Sequence, residues 1–494
     1  MGALNPLSVE VESSEFKLAG ARVVGLRGRE EISQLFWFEV ELVLPEGAVL
    51  PNEAAPGAAV TLRMSRGAVG DDAGEERHVY GIIEWIRDRL DTSRKHRTYV
   101  LRVVPELARL LLVETQEVFI DTNVPEIIRK KLDLHELAGP RLGMHTDACP
   151  KRELVVQYRE SDLAFLSRIS EHMGISYVFE HGEQGPERVI FTDDVRTSGQ
   201  TTTVDQLPFR ASGEHEGVFS LELERRLIPT TFATQDYNYR RPLADIDGLH
   251  ELSVNGEPIG NGGGIVEYGS NQKSKDEGNN LAKIRAEERL SQHTVFTGRS
   301  AIVGLTAGAC PTLVGHPTLE DQQLIIVAVE HYGAFGVGGP ADKANTYENT
   351  FKAIPAEVRF RPPRVTPRPR IHGLATGTVA LGSAGTIGGK AQIDGEGRYL
   401  VQIHFDTVTH TGEDKPSHRI RMSQPFAGPN HGFHFPLRPG AEVVLAFVDG
   451  DPDRPIIVGS VPNATAPSAS TSKNSHQNRI QSATGIVLQF SENK

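Results

Sequence analysis

Phe38-Glu39-Val40-Glu41-Leu42-Val43-Leu44 decides the class of fold. Large apolar side chains recur at every second position, so Phe38, Val40, Leu42 and Leu44 share one face of a strand. Pro45-Glu46-Gly47 then ends it. Outward from this segment, residues 99–104, 154–158 and 175–179 are rich in branched and aromatic side chains that pack well on a pleated surface. The first 210 residues read as sheet interrupted by helices.

Two helices have interpretable ends. At Thr122-Asn123-Val124-Pro125-Glu126 a polar residue accepts orphan amide bonds, and Pro125 sits in an early turn where its missing donor costs little. Ile127, Ile128, Leu132 and Leu134 are expected on the apolar side of that helix, with Arg129, Lys130 and Lys131 in water. Ser161 precedes Leu163, Leu166, Ile169 and Met173, whose spacings of three and four make one helical stripe, and Gly174 stops it. Both stripes are expected to be core contacts.

The length of 494 residues suits three or four domains at ~100–200 residues each. With 49 Gly and 30 Pro, the composition favours strands and turns over a helical bundle. Lys plus Arg (52) against Asp plus Glu (64) leaves a net charge of −12, which repels phosphate backbones, so no specific nucleic acid is expected as a partner. Cys149 and Cys310 are too few for a disulfide framework and too isolated for a zinc knuckle, and are read as small buried or semi-buried thiols. No apolar run approaches the ~18 residues of a membrane span, and the first five residues lack a signal-peptide pattern. The expectation is a protein cytoplasmic on synthesis.

Residues 211–217 form a turn-rich break before further strand-prone sequence, dividing 1–210 from 211–360. A glycine-dense loop at 255–264 precedes a helix around Leu281, Ile284 and Leu290, with Arg285, Glu287, Glu288 and Arg289 as its solvated face. Residues 324–332 return to a strand pattern. Four prolines and four arginines fill residues 361–370, which read as an extended, solvated spacer without aromatic stacking platforms. Beyond it, Tyr399, Val401, Ile403 and Phe405 share one strand face, and Val443, Leu445 and Phe447 belong to a strand apolar on both faces. These seven residues are the candidate structural and assembly positions. Residues 463–478 read as a connector, and 480–490 as β structure turning at Thr484-Gly485, too short to be stable alone.

A search for chemistry returns no convergent set. There is no H-E-x-x-H helix, G-x-S-x-G elbow or G-x-x-x-x-G-K-[ST] loop, so no catalytic residue and no cofactor is assigned. Asp449, Asp451 and Asp453 alternate as a hard-cation site would require, but Pro452 and the missing remainder of a twelve-residue calcium loop favour a tight turn offset by Arg454. His404 and Asp406 point to the same side of a strand and are read as structural, as is His431-Gly432-Phe433-His434.

Several long motifs together carry a resemblance. They are Leu26-Arg27-Gly28-Arg29-Glu30-Glu31-Ile32-Ser33 with residues 36–42, the run from Val156-Gln157-Tyr158-Arg159-Glu160-Ser161-Asp162 to Arg168, and Glu171-His172-Met173-Gly174-Ile175-Ser176-Tyr177 onward. Distally they are Arg419-Ile420-Arg421-Met422-Ser423-Gln424-Pro425 and Arg438-Pro439-Gly440-Ala441-Glu442-Val443, followed by Asp449-Gly450-Asp451-Pro452-Asp453-Arg454-Pro455. Across roughly residues 15–490 the chain resembles the VgrG family, trimeric spike proteins of bacterial type VI secretion systems related to the hub and spike proteins of contractile phage tails. Phe405-Asp406 stands where that family commonly has Trp-Asp, which keeps an aromatic core residue.

The resemblance implies a mainly β fold with α+β parts: phage-hub-like β-barrel domains with inserted helices over 1–210 and 211–360, the 361–370 spacer, and an OB-fold domain over 371–462. After the connector, 479–494 would be the start of a truncated triple-stranded β-helical needle, with no toxin domain. It further implies a non-enzymatic homotrimer seated on the Hcp tube ring, with effector or adaptor proteins as partners and a PAAR-repeat protein at the tip if the needle is completed. Such a spike would be assembled on the secretion apparatus and injected without a signal peptide. The alternative reading is a tail-associated polysaccharide-binding or cell-wall hydrolase protein.

Overall fold

The structure, a computed structural model, describes the chain apart from residues 1–6, 17, 19, 52, 68–74, 91–96, 183–184, 201–203, 211–216, 255–256, 260–261, 337–344, 381–390, 408–418 and 493–494. The break expected at 211–217 therefore lies outside the described residues except for Gly217, as do four positions of the 255–264 loop. The chain forms two compact units that interleave in sequence. The first comprises Met1–Leu112, Val124–Cys149 and Leu166–Thr366, and the second comprises Val113–Asn123, Pro150–Phe165 and Pro367–Lys494.

The first unit is built on one large sheet whose main path is antiparallel throughout. Its order is Ser8–Glu12, Ala59–Arg66, Glu75–Arg89, Arg97–Val104, Trp37–Leu44, Arg22–Glu31, Gln322–Ala334, Thr346–Pro355, Thr294–Ser300 and Val218–Arg225. The Trp37–Leu44 strand alternates half-buried and buried, with Phe38, Val40, Leu42 and Leu44 all inside, as its period of two requires. Sheets that curve need room at their cross-strand pairs. Gly28 supplies it opposite Phe38, whose ring lies where a Cβ on residue 28 would be, 2.3 Å from Phe38 Cδ1.

Helix α1 (Val124–Leu134) buries Ile127, Ile128 and Leu132 as expected, but two side chains depart from the sequence reading. Leu134 is exposed at the last residue of the helix, and Lys131, expected in water, is buried. Helix α2 (Asp162–Met173) buries Leu163, Leu166, Ile169 and Met173, and Gly174 at φ 67° turns the chain out of the helix. Helix α3 (Lys275–Leu290) starts at Ser274, whose hydroxyl accepts from the Glu277 amide. Its presumed solvated face is a correction: Arg285 and Glu288 are buried, covered by charged partners from elsewhere in the same unit.

In the second unit a five-stranded antiparallel sheet runs Arg419–Ile420, Tyr399–Ile403, Ala375–Val379, Glu442–Phe447, Pro455–Val461. A ribbon of Glu114–Thr122 paired with Arg152–Ser161 belongs to this unit although it precedes the sheet by more than two hundred residues. One apolar core joins them, with Val118, Leu154 and Val156 of the ribbon packed among Val379, Tyr399, Val401, Ile403, Val443, Leu445 and Ile457.

Candidate functional site

The candidate assembly residues are mostly interior. Tyr399, Val401, Ile403, Val443 and Leu445 have no exposed surface, and Phe447 is nearly closed off. Phe405 is half-buried and packs edge-on against Tyr158 of the ribbon at 5.1 Å. These side chains therefore hold the second unit together from inside one chain. The Tyr399 hydroxyl accepts from the Leu437 amide at 3.1 Å and meets His434 Nε2 at 3.0 Å. Gln424 engages the other ring nitrogen of His434 at 2.7 Å, so this histidine is a buried-edge strut. His404 lies between two threonine hydroxyls, Thr376 Oγ1 at 2.8 Å from Nδ1 and Thr378 Oγ1 at 2.9 Å from Nε2.

The Asp449–Asp453 turn is a clasp. Asp449 (φ 53°) and Gly450 (φ 71°) reverse the chain, so that the Asp449 carbonyl accepts from Arg370 at 2.6 Å and the Gly450 carbonyl from the Ile371 amide at 2.8 Å. Asp451 Oδ2 accepts from Arg368 at 2.7 Å, while its Oδ1 accepts from the Asp453 amide at 3.1 Å. Asp453 Oδ1 accepts from the backbone of Val156 at 2.7 Å. The carboxylates thus converge on guanidinium and amide donors, and among the described residues no cluster of three or more His, Cys, Asp or Glu side chains is disposed to hold a metal ion.

Most of the Pro/Arg stretch is exposed and free of helix or strand, but Arg361 is buried and the arginines are bound by hydrogen bonds. In the first unit Arg361 is buried, donating to Glu287 at 2.7 Å and to the carbonyls of Gly174 and Asp193 at 2.8 and 3.0 Å. Arg364 reaches Glu267 at 2.7 Å and Glu288 at 3.0 Å, and Thr366 donates to Glu171 through both amide and hydroxyl. Arg285 of α3 completes the group, 2.9 Å from Glu267. Burial alone would raise the Glu267 carboxyl, but the Arg285 and Arg364 guanidiniums overcome it and hold it down to about 2. In the second unit Arg368 and Arg370 are bound to the aspartate clasp. The two thiols carry no signature of a nucleophile, since burial pushes both Cys149 and Cys310 up to about 11.

Among the apolar side chains that one copy leaves uncovered, one contiguous group lies in the last residues. Gln477–Gln481 and Val487–Ser491 form a hairpin closed by the Gly485 amide on the Ser482 carbonyl, at the turn read from Thr484-Gly485. Ile480, Ile486, Val487, Leu488 and Phe490 are all exposed on it, and Phe426, Phe433 and Phe435 are exposed around the short Ala427–Gly428 and His431–Gly432 pairing. Two strands with apolar side chains in solvent on both faces lack the cover that a stable sheet needs.

Comparisons with known proteins agree with this architecture. Residues 29–336 match the family model of the phage tail baseplate hub (GPD), and residues 385–461 match the type VI secretion system/phage-baseplate injector OB domain. The type VI secretion system spike protein VgrG5 of Pseudomonas aeruginosa is 29% identical over 456 residues, covering 89% of this chain and 55% of that protein. The chain spans little more than half the length of the first curated relatives it matches. Among solved structures, the E. coli c3393 protein, described as a component of the type VI secretion system with structural similarity to T4 tail proteins gp27 and gp5, superposes with TM-score 0.63 at 23% identity. That match covers 92% of this chain and all of the other. A chain of the lidded Francisella PdpA–VgrG complex superposes with TM-score 0.64 at 10% identity, over 98% of this chain and 75% of the other. The expected fold class is borne out by these matches, and with one model covering more than half its length, the chain belongs to the phage tail baseplate hub family.

Proposed function

We propose that the protein is a structural spike component of a type VI secretion system, a homotrimer seated on the Hcp tube that carries effector or adaptor proteins outward on contraction. The reading rests above all on the terminal hairpin, whose Ile480, Val487, Leu488 and Phe490 remain in solvent in a single copy. Three copies meeting about one axis would cover these side chains and convert marginal ribbons into a stiff body that transmits force. The matches to spike proteins and to the injector OB domain support the same reading. The work would be mechanical, with the Asp451 and Asp453 carboxylates of the second unit engaged in internal hydrogen bonds. Export would accompany contraction of the apparatus, and a PAAR-repeat protein would cap a completed needle.

The test is the mass of the intact chain across a concentration series. A threefold mass that persists on dilution supports the proposal, and a single-chain mass at the highest concentration overturns it.

A further inference from the structure

A cluster of buried ionisable groups in the first unit plays no part in the function proposed above. Glu30, on the Arg22–Glu31 strand, is ion-paired with Arg77 of the Glu75–Arg89 strand, and both side chains are almost fully enclosed. Arg77 also donates to the carbonyls of Val303 and Leu305, each at 3.1 Å. On the Gln322–Ala334 strand, His331 brings Nε2 to 3.4 Å from Glu30 Oε2 and Nδ1 to 2.7 Å from the Tyr347 hydroxyl. His181 follows the Ser176–Glu180 strand, ringed by Phe36 and Tyr80, and its Nδ1 accepts from the Tyr80 amide at 3.2 Å.

The donors around the two rings fix where their protons sit. Asn349 Oδ1 accepts from Ser300, so its amide nitrogen donates, to the Ile302 carbonyl at 2.7 Å and to the Tyr347 oxygen at 3.3 Å. Tyr347 then has its own hydrogen to give to His331 Nδ1, and neutral His331 carries its proton on Nε2, aimed at Glu30. For His181 the Tyr80 amide can only donate, so Nδ1 is bare and the proton is on Nε2, an atom closed off from solvent without a hydrogen bond. Each ring could take a second proton only at Nδ1, by giving up the bond it accepts there. Each new cation would also form beside Arg77 with Glu30 as the shared carboxylate.

We propose that Glu30, Arg77, His181 and His331 form an acid-labile latch that joins the N-terminal strands of the large sheet to its C-terminal strands and loosens when the histidines take up protons. The other groups facing it add no net negative charge, since the Glu75 carboxylate is offset by Arg66. Tyr347 and Asn349 are neutral, Glu75 is occupied by the amides of Val303 and Gly304, and Arg66 adds positive charge at the carbonyl of Ala301. His78 is drawn outward to Glu76. Burial lowers both histidines, His181 to about 4, while Arg77 overrides burial and holds Glu30 down to about 2. A histidine held neutral in the folded chain and titrating near its ordinary value when unfolded contributes stability above about pH 6.5 that is lost as the pH falls toward its folded value. Carboxylates join below about pH 4.5, so the diagnostic window is between.

The experiment is denaturant unfolding of the full chain from about pH 7 to about pH 5, for the natural sequence and for a His181→Asn, His331→Gln double variant. These replacements keep the acceptor for Tyr80 and the donor toward Glu30. In the natural chain the folding constant is expected to fall by roughly an order of magnitude between about pH 7 and about pH 5 from His181 alone, with His331 adding to the fall, and the double variant to lose that steepness. Parallel pH profiles overturn the latch. If the variant does not fold, amide exchange in the natural chain decides, after correction for intrinsic rates. Selective loss of protection at Tyr80 on acidification, relative to the Tyr399–Ile403 strand, supports the latch, and an equal change at both overturns it.

Discussion

The carboxylate of Asp453 accepts a hydrogen bond from the backbone amide of Val156, 2.7 Å away and 297 positions earlier in the chain. Val156 is fully buried, so this amide has no recourse to water. The contact explains why a turn rich in aspartates belongs to the packing of the distal unit, and why its carboxylates need no cation.

Asp453→Ala should therefore destabilise the second unit by about 1–3 kcal/mol, the cost of leaving a buried donor unsatisfied. Asp453→Asn, which keeps an acceptor oxygen, should lose less. Denaturant unfolding followed in that unit checks the order of the two, and addition of calcium or a chelator should shift neither curve. A calcium-dependent shift would return the aspartates to a metal-binding role.

Gly28→Ala places a methyl group inside the Phe38 ring, with the nearest ring carbons at 2.3 and 2.4 Å. Overpacking of a fully buried ring should cost about 1–3 kcal/mol. Phe38→Leu in the same chain should recover part of the loss, because it removes the atoms that collide. A double-mutant cycle with no coupling between positions 28 and 38 would contradict the geometry.

The arginines of the Pro/Arg stretch should be unequal. Arg361 and Glu287 have 7% and 13% of their side chains exposed, against 33% and 24% for Arg364 and Glu267. Removing one partner of the better-buried pair leaves an uncompensated charge, so Arg361→Ala should cost about 3–5 kcal/mol and Arg364→Ala distinctly less. Glu267 adds a pH signature. Its carboxyl is held below its ordinary value, so the stability it contributes is complete above about pH 4.5 and lost as the pH falls toward about 2. Thermal unfolding of Glu267→Gln should be flatter over that acidic range than that of the natural chain.

Local patterns were readable wherever burial followed from a residue's own neighbours. The alternation over Phe38 to Leu44 and the stripe of Leu163, Leu166, Ile169 and Met173 needed only the periods of strand and helix. Arg285 and Glu288 misled for the opposite reason. On α3 they look like a wet face, and the groups that cover them come from Arg364 and Glu267, remote in sequence. The ribbon of Glu114–Thr122 and Arg152–Ser161 was legible as strands but not as part of the second unit, since Asp453 and Phe405 recruit it from more than two hundred residues away. Of the candidate assembly residues, sequence found the apolar faces and could not tell an internal core from a surface shared between copies.

That distinction is testable with two aspartates. Val401 has no exposed surface and Phe490 is 63% exposed. Val401→Asp buries an unpaired charge in the core that also holds the ribbon, and should abolish folding of the second unit whatever its oligomeric state. Phe490→Asp should leave unfolding of the single chain within about 0.5 kcal/mol of the natural value, because it touches no packed core. If the terminal hairpins of neighbouring copies cover one another, the same substitution must lower the assembled mass at a given concentration. Point substitution is the sharper tool here. Cutting the chain at residue 371 would strip the cover from Val118, Leu154 and Val156, confounding lost assembly with an exposed core. An unchanged mass for Phe490→Asp, with an intact fold, would mean that the exposed hairpin does not join the copies.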